Sequence, residues 1–223
     1  QVNGIQFLHN LLHITGVQTL QPFIQDDIVC VFNGEIYNFK QFGNYNTDGE
    51  CIINLYKEFG LDFAKQLDGE FAICIVDFKT SDLILVNDTF ATKPLWIGTD
   101  GSKWGVSSYE SSLKNCNFNP IEKLPGNQAW RMDLDTLIIK EQIQLTEFDL
   151  NQHKNSYDDW ITAFEDSIRK RTKNTNQKIF LGLSAGYDSG AIACALTNQN
   201  IDYKAYTILS NEDRSTIDMR HSL

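Results

Sequence analysis

The sequence predicts an α+β unit followed by the start of an α/β unit. Three observations carry that reading: short apolar runs at hairpin spacing between residues 27 and 142, a polar break at 146–159, and then the order helix, strand, loop, helix, strand. A chain of 223 residues that is 42% hydrophobic can bury one sizeable core or two modest ones. The break favours two, over residues 1–145 and 156–223. The chain opens on Gln1 and stops at "DMRHSL", shortly after a strand-like run, so it is expected to be a fragment.

The elements follow from local chemistry. "IQFLHNLLHIT" (5–15) is apolar enough for a strand but irregular. "DIVCVFNG" (27–34) is β-branched and closes on Asn-Gly, which predicts a buried strand meeting a tight turn. "TDGECIINLYKEFG" (47–60) has Thr47 or Asp48 as a cap, Ile52, Leu55, Tyr56 and Phe59 along one face, and Gly60 as a stop, which predicts a helix. The runs at 70–78, 82–88, 93–98 and 103–108 read as antiparallel strands, and 127–142 as a hairpin around "DLDT". Beyond the break, "WITAFEDSIRKRT" is an amphipathic helix with Ile161, Phe164 and Ile168 inward and cations near its C-terminal end.

Charge and composition narrow the function classes. Nineteen basic against twenty-nine acidic residues give a net charge of −10, which repels polyanions and argues against a nucleic-acid partner. No run approaches the roughly 18 apolar residues of a membrane span. Five unpaired-looking cysteines lack C-x-x-C spacing and read as incidental thiols, which fits a reducing cytoplasm. The four histidines show no ligand spacing.

"KIFLGLSAGYDSGAIACAL" (178–196) changes from strand to helix at a cluster of small residues. A helix N-terminus offers unsatisfied N–H donors and a partial positive charge, so residues 184–189 are candidates for an anion cradle. Ser184 and Ser189 add hydroxyls, and the carboxylate of Asp188 suits a hard divalent cation. Equally, Asp188 or Ser189 could simply cap the helix.

"LSAGYDSG" resembles the S-G-G-x-D-S pyrophosphate loop of the ATP pyrophosphatase superfamily, with Ala185 replacing the first glycine and Gly186 keeping the second. "FNGEIYN" (32–38) resembles the N-G-E-I-Y-N segment of class II glutamine amidotransferase domains. "TLQPF" (19–23), "NTDGE" (46–50), "LDGEFAICIVD" (67–77) and "NDTFATKPLWIG" (87–98) match further segments in order. Together they resemble the glutamine-hydrolysing asparagine synthetase family. The resemblance implies an Ntn-hydrolase-like αββα sandwich, truncated at its start, followed by the beginning of a Rossmann-like parallel sheet that binds ATP.

The resemblance also assigns roles. An N-terminal cysteine, expected ahead of Gln1, would attack the glutamine amide. The carboxamide of Asn33 and the backbone N–H of Gly34 would hold the oxyanion, and Glu35 and Asp48 the substrate's α-amino group. Taken alone, Asn33-Gly34 reads as a hairpin turn. Ser184, Ala185, Gly186, Asp188 and Ser189 would bind ATP and its pyrophosphate, with Mg²⁺ at Asp188. "HNLLHITG" (9–16) aligns with H-x-R-L-S-I-x-D, so Leu11 stands where the family has an arginine for the glutamine α-carboxylate. A charged hydrogen bond of that kind is worth about 1.5–3 kcal/mol.

Three readings follow. One is an ATP-dependent ligase turning aspartate and glutamine or ammonia into asparagine, AMP and pyrophosphate, with ATP and Mg²⁺ and with a homodimer as an admissible assembly. A second keeps that chemistry with another acceptor and an inert amidotransferase domain, as in β-lactam synthetase-like relatives. A third is a non-catalytic scaffold. On any of them, residues 1–223 by themselves are expected to be inactive.

Overall fold

The computed structural model describes residues 1–209 and 213–222, and the chain divides into two compact units, Gln1–Leu150 and Asn151–Leu223.

In the first unit, β1 (Phe23–Gln25) and β2 (Ile28–Ile36) are followed by a 3-10 turn at Asp48–Glu50 that leads into α1 (Cys51–Phe59). Then come β3 (Gly69–Asp77), β4 (Asp82–Asn87), β5 (Trp96–Thr99), β6 (Trp104–Ser107), α2 (Glu110–Asn115), β7 (Ile121–Lys123), β8 (Gln128–Asp133) and β9 (Ile139–Gln144). Six strands form one antiparallel sheet in the order β1-β2-β3-β4-β8-β9, and three form a second in the order β6-β5-β7.

Side-chain alternation explains how the layers stack. On β3, Phe71, Ile73 and Ile75 face one core with Ile52, Leu55 and Tyr56 of α1, while Ala72, Cys74 and Val76 face another. That second core is closed by Leu95, Ile97 and Leu124 from around the smaller sheet. Because both faces of β3 and β4 are covered, their sequences read as continuous apolar runs rather than as alternating ones. Across the smaller sheet Gly98 pairs with Gly105, and a Cβ at either would meet the Phe118 side chain at 3.0 and 2.7 Å. Those two glycines make room for the α2 side. The layers therefore run α1, large sheet, small sheet, α2, which is the αββα order the resemblance implied.

Several expectations need correction. No tight turn occurs at Asn33-Gly34, because β2 runs through both to Ile36 and stays in register with β3. Gly34 absorbs the distortion with φ +145. Residues 6–15 form no strand. Phe59 is 42% exposed rather than on the buried face of α1, since the chain has already reached the C-cap at Gly60 (φ +58). The short α2 and β7 were not legible in the pattern.

In the second unit, α3 (Asp158–Lys173), β10 (Ile179–Gly182), α4 (Tyr187–Asn198), β11 (Tyr203–Tyr206) and α5 (Arg214–His221) alternate, and β10 pairs with β11 in parallel. Ile168, Ala195 and Leu196 form its buried cluster, against which Phe164 packs. Ile161 is 45% exposed, not inward as the helical pattern suggested. Among the described residues, no helix is long and apolar enough to cross a membrane.

Candidate functional site

A cleft of about 130 Å³ lies along the outer edge of β2 and gathers Leu11, Asn33, Gly34, Glu35, Asp48 and Lys93. Its position follows from the sheet. The strand β1 is short and pairs only with Ile28, Val29 and Cys30, so the rest of that edge is left to side chains.

Strand geometry identifies which main-chain groups face the cleft. Phe71, the partner of Gly34, directs both its polar groups toward Asp88: its N–H donates to Asp88 Oδ2 at 3.1 Å and its carbonyl accepts from the Asp88 N–H at 2.9 Å. In an antiparallel pair the partner must then point its own N–H the other way. The same parity applies to Phe32 and Ile36. The Phe32 N–H donates to Gln21 Oε1 at 2.7 Å and the Ile36 N–H to Asp48 Oδ2 at 2.8 Å. Between these two satisfied amides, the Gly34 N–H meets no side-chain acceptor and no loop carbonyl among the described residues. Next to it, Asn33 is exposed, with its carboxamide free of any hydrogen bond among the described residues. Only glycine fits at 34, because a Cβ would stand 1.9 Å from the Glu70 carbonyl oxygen.

The two carboxylates differ in availability. Asp48 is buried, and both its oxygens are engaged: Oδ2 by the Ile36 N–H, Oδ1 by the Gly49 N–H at 3.0 Å and the Thr47 hydroxyl at 3.1 Å. Burial raises its pKa against the pull of those donors. Glu35 accepts from the Thr15 hydroxyl. Burial is the main reason its pKa rises to about 7; the negative charges of Asp48 and Glu70 add to the rise, while the Thr15 bond and the Lys93 charge oppose it.

Residues 9–21, which the pattern left irregular, form the outer wall. Val17 N–H donates to the Asn46 carbonyl at 2.9 Å and the Thr47 hydroxyl to the Thr15 carbonyl at 3.1 Å, which ties the wall to the start of α1. His9 is held below its ordinary pKa by burial, and its Nδ1 is buried without a partner among the described residues. Leu11 lines the cleft as expected of its position.

Thr15, Gln21, Asp88 and Lys93 were not singled out from the sequence. Asp88 is 3% exposed and organises the loop that carries Lys93, accepting from the N–H groups of Phe90 (2.9 Å), Thr92 (3.1 Å) and Lys93 (3.3 Å). An Asp followed by turn-forming residues was the available signal.

In the second unit, Ser184, Ala185, Gly186, Asp188 and Ser189 form the turn from β10 into α4. Ala185 lies outside the left-handed region, so its methyl costs little backbone strain. Two amides of this turn point inward: Ser184 N–H donates to Ser189 Oγ at 3.0 Å and Gly186 N–H to Ser184 Oγ at 3.1 Å. The Arg220 guanidinium donates to the carbonyls of Ser184 (2.6 Å) and Gly186 (2.7 Å). Asp188 is exposed in the first turn of α4. No group of three or more potential metal ligands occurs among the described residues, so Asp188 fits a cation only as one oxygen ligand beside phosphate and water.

Residues 9–115 match the family described as glutamine amidotransferase domain. Glutamine-hydrolysing asparagine synthetase 2 of Arabidopsis thaliana is 30% identical over 193 residues, covering 78% of this chain and 32% of that protein. The glutamine-hydrolysing asparagine synthetase of Gallus gallus is 31% identical, covering 82% of this chain and 39% of that protein. The chain thus spans about a third of the length of these relatives. A solved structure described as the allosteric regulatory enzyme of purine biosynthesis is similar in fold, with a TM-score of 0.50 and 15% identity, covering 94% of this chain and 55% of that one.

Proposed function

This chain belongs to the glutamine amidotransferase family of the asparagine synthetase kind, and from that premise we propose that its cleft binds an amide substrate for an ATP-dependent, amide-forming ligase. The observation that carries this reading is the unsatisfied Gly34 N–H between the satisfied amides of Phe32 and Ile36, with the free carboxamide of Asn33 beside it. Two such donors suit the oxygen of a tetrahedral intermediate formed from an amide, and losing one typically costs about 10²–10³ in rate. Glu35 then receives the substrate's α-amino group. Asp48 acts there mainly by its charge and by fixing Ile36, since both its oxygens are engaged.

The nitrogen released, or ammonia taken directly, would be transferred to an aspartate β-carboxylate activated by ATP. Residues 184–189 would receive the pyrophosphate; the Ser184 and Ser189 hydroxyls, now bonded to each other at 3.0 Å, would turn outward to donate to it. Asp188 would hold Mg²⁺ against the phosphates, which neutralises their charge. The test uses the whole protein supplied with ATP, Mg²⁺, aspartate and either glutamine or ammonium. AMP, pyrophosphate and asparagine are expected together, and no AMP with either nitrogen source would reject the reading.

Leu11 favours a second reading, in which the ligase uses another acceptor and takes ammonia or an internal amine. AMP release on ammonium with an acceptor other than aspartate, and none with aspartate or with glutamine as nitrogen source, would select it.

A further inference from the structure

The cleft holds two carboxylates, and where the family pattern has a cation it holds Leu11. A free amino acid bound there would need a positive partner for its α-carboxylate, since leaving that charge unpaired against an apolar wall is costly. Among the described residues lining the cleft, Lys93 is the sole lysine or arginine. It reaches the cleft from the loop after β4.

Three features suit Lys93 to that task. Its main chain is fixed, because its N–H donates to the buried Asp88 at 3.3 Å. Its ammonium makes no ion pair within 4.0 Å among the described residues, so no protein carboxylate saturates it. It lines the same cleft as Glu35, and its charge opposes the rise in the Glu35 pKa. A carboxylate and an ammonium lining one cleft complement a zwitterion rather than a simple amide.

We propose that Lys93 is a specificity-determining residue that binds the α-carboxylate of an amino-acid substrate, supplying in the same cleft the positive charge that Leu11 cannot. The inference rests on the reading of the cleft as an amide site. It goes further by naming the residue that holds the α-carboxylate in a cleft where Leu11 cannot. A lysine ammonium is a compact point charge rather than a bidentate fork, so the carboxylate is held with less geometric definition than an arginine would give.

The test is calorimetric titration of the 223-residue chain with L-glutamine, glutaramate, which lacks the α-amino group, and 4-aminobutanamide, which lacks the α-carboxylate. Lys93→Met is expected to weaken L-glutamine and glutaramate by roughly ten- to a hundredfold and to leave 4-aminobutanamide within about twofold. Lys93→Arg is expected to restore most of the loss. Equal weakening of all three probes by Lys93→Met, no weakening at all, or no rescue by Lys93→Arg would overturn the assignment of Lys93 while the cleft reading stands. If the unaltered chain binds none of the three, the cleft reading fails and takes this inference with it.

Discussion

Glu35 is the residue whose environment makes the sharpest statement. Its carboxyl is raised from the ordinary 4.5 to about 7, chiefly by burial, so the folded protein keeps a proton that the unfolded chain would release. A raised folded pKa means that the contribution of this group to stability is complete below pH 4.5 and is lost as the pH rises through 7. Glu35→Gln carries a neutral group at every pH. The variant and the unaltered protein should therefore melt at similar temperatures near pH 4.5, with the variant gaining steadily up to about pH 8. A difference in melting temperature that stays flat over that range would show that Glu35 is ionised throughout. The same charge favours an ammonium ligand, so an α-amino group should bind more tightly above pH 7 than below it.

At the scale of elements, Asp88 holds together the strand behind the cleft and the loop in front of it. It accepts from Phe71 on β3 and from Phe90, Thr92 and Lys93 on the loop, and it does so at 3% exposure. Replacing it by alanine strands several buried N–H groups, each costing about 1–3 kcal/mol when left without a partner and not fully additive. Asp88→Ala should lose roughly 3 kcal/mol or more in urea unfolding, with faster amide exchange at Phe71 and Lys93. Asp88→Asn, which keeps one acceptor oxygen, should lose less; equal stability of both variants with the unaltered protein would remove Asp88 as the anchor. How much of this was legible varies with the physics involved. The helix over 47–60 and the strands over 70–78 and 82–88 could be read because propensity, period and capping agree there. Asn33-Gly34 misled as a turn because the same dipeptide that favours a hairpin also tolerates φ +145 within a strand, and only the β3 register distinguishes the two. Asn33, Gly34, Glu35 and Asp48 were found through resemblance and lie together in one cleft. Lys93 was matched only as part of the segment "NDTFATKPLWIG" and given no role, because nothing local in the sequence tells that the fold puts its charge in the same cleft as Leu11.

At the scale of the whole molecule, the two units differ in how much they bury, and that difference predicts how each opens. The first unit has two cores, and every residue of β4 and nearly all of β3 are buried between them. The second unit has a cluster of three buried residues beneath a two-stranded parallel pair, with Phe180 75% exposed on β10 and Tyr206 59% exposed on β11. Parallel pairs are ordinarily covered on both faces, because the apolar surface of the strands drives their association. With so little surface removed from water, amides of Ile179–Gly182 and Tyr203–Tyr206 should exchange with solvent on the order of a hundredfold faster than those of Gly69–Asp77 and Asp82–Asn87. Native-state hydrogen exchange on the 223-residue chain reads this directly. Uniform protection across the four strands would mean that the second unit is stabilised by something other than its own core. If instead the exchange is fast and slows on addition of Mg²⁺-ATP, ligand binding and ordering of this unit are linked, as mass action requires of any ligand that prefers the folded form. The Ser184 and Gly186 amides are then the positions to follow, because their bonds to serine hydroxyls must yield when a phosphate arrives.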